Sequence, residues 1–168
     1  MHTFVVHVQD QPGVLNRVVS LFRRRAYNIH DINSSRTHEP GVHRMTIWVG
    51  GDANAERIAA NLYKLVNVID VAEISGCPRV DRGLGLIKVR ATEQERPAVL
   101  QLCEVFRAQV VDIGPDAMVL EATGSAEKIQ SLVTVLRPFG IAEMAQTGAI
   151  AMTRCNQSTA LTAIEQAA

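Results

Sequence analysis

Apolar positions along this chain keep two rhythms in alternation, one of period two and one of three to four, and the order of the rhythms occurs twice. Residues from about 2 to 8 read as a strand. From Pro12 to about Arg25 the spacing predicts a helix, with Val14, Val18 and Leu21 in one row and Leu15, Val19 and Phe22 beside it. Strand resumes from Asn28 to about Ser34, "THEPGV" turns the chain, and "HRMTIWV" returns with Met45, Ile47 and Val49 alternating against Thr46 and Trp48. Asp52 is the expected cap of a second helix whose Ile58, Ala59, Leu62, Leu65 and Val66 share a face. "NVIDVAEI" closes the unit. The order is βαββαβ.

The second half repeats that order with different residues. "LGLIKVRA" is a strand, and Pro97 suits the first turn of a helix lined by Val99, Leu102, Cys103 and Phe106. "QVVDI", a "GPD" turn and "AMVLEA" follow. Ser125 then caps a helix with Ile129, Leu132, Val133 and Leu136 inward, and "IAEMAQTGAIAM" ends the unit as strand. The joint "SGCPRVDRG" carries Gly76, Pro78 and Gly83 and reads as a linker. The expected fold is therefore α+β, two tandem ferredoxin-like βαββαβ sandwiches. Their bounds are 1–76 and 84–154, with a linker at 77–83 and a tail at 155–168.

Composition narrows the class. The 168 residues are 47% hydrophobic and 20% charged, the balance of a globular protein. Seventeen basic and seventeen acidic residues cancel, so no global field favours nucleic acid or an anionic membrane. No apolar run approaches the roughly 18 residues of a spanning helix, and Phe4-Val5-Val6 is too short for a signal-peptide core. Cys77, Cys103 and Cys155 are odd in number and form no C-x-x-C, which argues against a disulfide framework and for a reducing cytoplasm.

The most informative stretch is "VQDQPGVLNRVVSLFRRRAYNIHDI". Gly13 lets a ligand approach the backbone, and Pro12 fixes φ before the helix. The N–H groups of Gly13, Val14 and Leu15 then point at one spot where the helix dipole favours a carboxylate. Asp10 is placed to accept hydrogen bonds from an α-ammonium group or from a helix N–H. Asn28 opens the next strand, read here as lying beside the first, and its amide both donates and accepts. Together these describe a site for a free amino acid. The plainer reading of the same residues is an ordinary helix cap.

Catalytic readings find less support. The chain has no G-x-S-x-G, H-E-x-x-H or P-loop, and no thiamine-diphosphate motif. His2 and His7 fall on opposite faces of a strand. His38 and His43 approach across the hairpin without a third ligand, so solvated histidines are expected rather than a metal. Cys103 reads as a small core hydrophobe. Arg23-Arg24-Arg25 reads as a solvated helix end with cations suited to the dipole, or less simply as a contact for a partner chain or nucleic acid. Arg107 and Asp112 are either surface charges or part of a partner interface.

These segments resemble, nearly end to end, the small regulatory subunit of acetolactate synthase (acetohydroxyacid synthase). The N-terminal half is similar to an ACT domain in that family's form, "QPGVLNRVVSLFRRRAYNI". "HRMTIWVGGD", "LYKLVNVIDV", "GLIKVRA", "EVFRAQVVDI", "TGSAEKI", "LRPFGI" and "TGAIAM" follow in the family's order and spacing. The resemblance implies a non-catalytic chain that binds the large catalytic subunit, raises its activity and confers feedback inhibition by valine or a related branched-chain amino acid. It also implies a homodimer through ACT domains with the effector between them. Thiamine diphosphate, Mg and FAD belong to the catalytic subunit, with no cofactor on this chain. Carried over by position, the effector residues are Asp10, Gly13, Val14 and Leu15 on the first turn, with Asn28 and Ile29 on the facing strand. The rival reading is a free-standing ACT-type amino-acid sensor acting on another partner.

Four positions depart from the family's pattern. Asp10 stands where an amide-bearing residue is usual, which changes the hydrogen bonds on offer. Ala26 stands where glycine usually ends the helix, and a left-handed residue there costs alanine roughly 1 kcal/mol. His30 replaces an acidic residue, and Gln146 stands where a basic one is common.

Overall fold

The chain builds two antiparallel sheets, each covered on one face by two helices, and the α+β reading with two ferredoxin-like units holds. The computed structural model describes residues 1–51 and 54–155. In the first unit β1 (His2–Gln9) leads to α1 (Val14–Arg24), then β2 (Asn28–Arg36), β3 (Val42–Gly50), α2 (Ala55–Leu62) and β4 (Val68–Glu73). The sheet order is β2-β3-β1-β4, so β3 lies between the strand that precedes α1 and the strand that follows it. The sequence reading had set β2 beside β1. In a split βαβ arrangement the crossover helix skips one strand position, and the returning hairpin strand fills it.

Period and burial agree closely in this unit. Phe4, Val6 and Val8 from β1 and Met45, Ile47 and Val49 from β3 are buried under the helices. From α1, Val14, Val18, Leu21 and Phe22 join them, while Leu15 and Val19 stay 47% and 39% exposed. The cap of α2 is Asn54, whose side chain accepts from the Arg57 N–H at 3.0 Å. Asp52, the expected cap, lies outside the described residues.

Helix α1 ends in a turn whose hydrogen bonds explain its shape. The Ala26 N–H donates to the Arg23 carbonyl at 3.1 Å, and the Tyr27 N–H to the Phe22 carbonyl at 3.0 Å. This is a Schellman closure, and the Tyr27 ring meets Phe22 edge-on, centroids 6.0 Å apart. Ala26 is left-handed, φ 56°, as the missing glycine led one to expect. Ala26→Gly is expected to stabilise the chain by about 1 kcal/mol, or roughly 2–4 °C in melting temperature. An unchanged melt contradicts a strained turn.

The second unit runs β5 (Arg79–Arg90), α3 (Arg96–Phe106), β6 (Gln109–Ile113), β7 (Ala117–Gly124), α4 (Ala126–Leu136) and β8 (Ile141–Gln146). Its order, β6-β7-β5-β8, matches that of the first unit. Pro97 sits in the first turn of α3, and the Ser125 side chain caps α4 by accepting from the Lys128 N–H. Ile87, Met118, Leu120, Ile129, Leu132 and Leu136 form its buried centre.

Two segments differ from the sequence reading. Most of the expected linker is strand, because β5 runs unbroken from Arg79 to Arg90. The expected closing strand is two: β8 stops at Gln146, and a separate β9 (Ile150–Thr153) follows. The compact units divide accordingly, one holding Met1–Val80 with residues 151–155, the other Asp81–Ile150. Ala151 is fully buried with Val5, Ala72 and Ile74 on the sheet face away from the helices. The Arg44 guanidinium donates to its carbonyl and, at 3.1 Å, to Thr46 Oγ1.

Candidate functional site

The loop from Asp10 to Gly13 is held by its backbone and by a buried amide. The Asp10 N–H donates to the Gly41 carbonyl at 2.8 Å, tying the loop to the β2–β3 turn. Gly13 is the N-cap of α1 in the left-handed region (φ 83°, ψ −1°), and no side chain caps the helix. A Cβ on Gly13 would meet nothing within 4 Å, so its hydrogen leaves open space over the first turn. Asn67, 4% exposed, stands behind the loop. Its amide nitrogen donates to Gln9 Oε1 at 3.0 Å and Gln11 Oε1 at 3.1 Å, and its Oδ1 accepts from Arg17. A buried amide with all these bonds made fixes the loop where an apolar side chain would leave it free.

The first-turn amides are not all available. The Val14 N–H donates to the Gln11 carbonyl at 3.3 Å. Among the described residues nothing accepts from the N–H groups of Gly13, Leu15 or Asn16. The spare N–H groups at the head of α1 are therefore those of Gly13, Leu15 and Asn16 rather than those of Gly13, Val14 and Leu15. The Val14 side chain is buried, whereas Leu15 is half exposed beside the loop. The Asp10 carboxylate lies 3.3 Å from His43 Nε2, a side-chain pairing that the sequence reading had not anticipated.

Asn28 and Ile29 stand elsewhere. Asn28 pairs with Gly50 at one end of β3, whereas Gln9, next to Asp10, pairs with Val42 at the other. Eight residue steps at about 3.3 Å each separate the two groups by roughly 26 Å within one chain. Asn28 is exposed, and Ile29 is half-buried against the core. Between them and Asp31 the pairing shifts register at His30, a bulge whose ring lies over Gly50, where a Cβ would collide with it. β2 is an edge strand along its whole length, and α1 packs beside it.

The remaining candidates take ordinary roles. His38 is exposed and 3.9 Å from Glu39, and His7 lies 3.8 Å from Asp70. Among the described residues no three His, Cys, Asp or Glu side chains are grouped to hold a metal ion. No helix among them is long and apolar enough to cross a membrane. Cys103 is buried, and burial pushes its thiol up from the usual value. No signal in the chain marks the pairing of Asn67 with Arg17: Arg17 lies in the quoted stretch, but Asn67 stands 50 residues further on, and no spacing announces their contact.

Comparison with known proteins now assigns the class. Residues 4–70 match the family described as "AHAS small subunit-like ACT domain", and residues 82–155 the family described as "Small subunit of acetolactate synthase". The two matches define an ACT-bearing small subunit, with each half recognised on its own. Among relatives, an acetolactate synthase small subunit from Mycolicibacterium smegmatis is 44% identical over 154 residues, 91% of this chain and 91% of that one. One from Aquifex aeolicus is 41% identical over 155 residues, 91% of this chain and 81% of that one. The crystal structure of an acetolactate synthase small subunit from Thermotoga maritima superposes with a TM-score of 0.87 at 36% identity, covering 93% of this chain and 98% of that chain. The chain belongs to the acetolactate synthase small-subunit family, the regulatory subunits of that enzyme.

Proposed function

We propose that this chain activates a separate thiamine-diphosphate-dependent catalytic subunit in the cytoplasm and confers feedback inhibition by valine or a related branched-chain amino acid. It has no catalytic role and no cofactor of its own; thiamine diphosphate, Mg and FAD belong to the large subunit. The effector binds between two copies joined along β2. One observation carries this reading: each chain holds its two candidate half-sites at opposite ends of its sheet, Asn28 at the start of the free edge strand β2 and Gly13 on the loop tied to the β2–β3 turn beyond the other end of β2. Antiparallel pairing of two such edges about a two-fold axis sets the Gly13 end of one copy against the Asn28 end of the other. The same pairing covers the exposed Leu15 and Val19 of α1 and removes an unpaired edge. The first turn then takes the effector carboxylate, Asn28 binds its ammonium group, and Ile29 walls its side chain. A free-standing sensor is not favoured, because the family match extends through residues 82–155.

The test is an activity titration. The chain alone should form no acetolactate from pyruvate, and saturating addition should raise the turnover of its matched catalytic subunit. Unchanged turnover contradicts the proposal.

A further inference from the structure

Given the regulatory role set out above, on which this rests, we propose that the groove between α1 and α2 docks an acidic segment of the catalytic subunit. Charge is laid unevenly along this chain. Over α1, α2 and the residues that flank them (14–25 and 54–64) stand Arg17, Arg23, Arg24, Arg25, Arg57 and Lys64, against Glu56 alone. The matching spans of the second unit (95–107 and 125–137) set Glu95, Glu104 and Glu127 against four bases. A chain with no net charge thus gathers its surplus cations on one helix layer. Arg17 is engaged by Asn67. Among the described residues the side chains of Arg23, Arg24, Arg25, Arg57 and Lys64 form no hydrogen bond or ion pair. Like charges gathered without a counter-charge repel one another, and an acidic partner relieves that repulsion.

The fold brings three of these cations to one cleft. Arg24, Arg25 and Lys64 line a space of about 460 Å³ together with Asn61, Leu21 and Leu65, and no carboxylate lines it. Leu21 is buried and Leu65 half-buried, so an apolar floor lies beneath the charges. The cleft is open to solvent and leaves a small ligand half in water, whereas small-molecule sites bury about 70–90% of their ligand. None of its lining side chains is aromatic, so a nucleic-acid base finds no platform to stack on. A protein segment that sets carboxylates against Arg24, Arg25 and Lys64 and one apolar side chain on Leu21 and Leu65 uses the whole lining. The groove also lies clear of the edge strand. α1 packs beside β2 and α2 beside β4, the two ends of the order β2-β3-β1-β4, so the groove runs over the middle of the sheet. Two chains joined along β2 leave it open.

Titration calorimetry of the full chain against its matched catalytic subunit tests this at about 0.1 M and 1 M salt, where the screening length falls from about 10 Å to 3 Å. The chain carrying Arg24→Glu and Lys64→Glu should bind about tenfold or more weakly at the lower salt, with an unchanged melting temperature. Its half-activating concentration should rise by the same factor, and turnover at saturation should stay the same. In 1 M salt the gap should narrow to about threefold or less. The charge-preserving chain, Arg24→Lys with Lys64→Arg, should bind as the unchanged one does. Equal affinity for the reversed and unchanged chains overturns the proposal, as does an equal loss in both variants or a loss that salt leaves unaltered. A reversed chain that changes its own oligomeric state gives the groove to a second copy instead. Retention of a single-stranded oligonucleotide by the unchanged chain alone gives it to nucleic acid. If the unchanged chain binds without raising turnover, the function proposed above fails and the variants still decide the groove; if it does not bind, both fail.

Discussion

Gly13→Asp is expected to abolish effector inhibition while leaving activation of the catalytic subunit intact. The structure removes the usual objection that such a change breaks the fold. A Cβ at Gly13 enters open space, and the remaining cost is the left-handed backbone at φ 83°. That costs about 1 kcal/mol, less for aspartate, whose side chain tolerates this region better than most. The new carboxylate stands at the head of α1, where the N–H groups of Gly13, Leu15 and Asn16 have no acceptor among the described residues. It takes the anion position and repels the effector's own carboxylate. A loss of at least a hundredfold in effector affinity, about 3 kcal/mol, is expected by titration calorimetry. Asn28→Ala acts in the same direction more mildly, about ten- to a hundredfold, because one hydrogen bond to a charged group is lost. If the residues only cap a helix, activation and melting temperature fall together with inhibition.

A chain ending at Val80 is expected to be clearly less stable than the whole protein, although it holds every element of the first βαββαβ unit. Ala151 is fully buried against Val5, Ala72 and Ile74, and all of these lose their cover when the chain stops short. Uncovering on the order of 100 Å² of apolar surface costs about 3 kcal/mol at most. Arg44 also loses the Ala151 carbonyl as an acceptor. A version that joins residues 1–80 by a short Gly-Ser linker to residues 149–155 should regain most of the loss. Equal melting curves for the truncated and rejoined chains contradict the role given to β9. The fragment is also the form in which to ask whether the first unit alone binds an amino acid. The second unit has no D-x-P-G start and carries Ala108-Gln109 where the first has Tyr27-Asn28, so it is expected to bind none.

The elements of both units were legible because their periods are strong. Met45, Ile47 and Val49 alternate in the chain and are all buried, and Val14, Val18 and Leu21 recur at helical spacing and are buried as well. Ala26 was legible only through the resemblance, which sets a glycine at that helix end, and the structure gives it the left-handed backbone that a Schellman turn needs. The order of strands was less so: adjacency in sequence suggested β1 beside β2, and only the hairpin's insertion corrects it. Splitting of the last strand was hidden because "AQTGAIAM" keeps an apolar tone through the break. Nothing local tells Ala151 to bury against β1 and β4. The Asn67 network was equally silent, since its four members come from β1, the loop, α1 and the turn before β4. The first turn was read correctly as a place with spare N–H groups, but one of them, on Val14, is already taken by Gln11.

The central claim is that one effector site is made by two chains, Gly13 from one and Asn28 from the other. Mixing Gly13→Asp chains with Asn28→Ala chains tests it most directly. Neither variant alone has an intact site. If the site is shared, a mixed dimer carries one site with both lesions and one with none. Calorimetry on the equilibrated mixture, assembled with the catalytic subunit, should then show a class of sites with the unmutated chain's affinity, about one per mixed dimer. If the mixture binds only as the sum of its two parents, with no recovered site, the half-sites do not meet across a dimer.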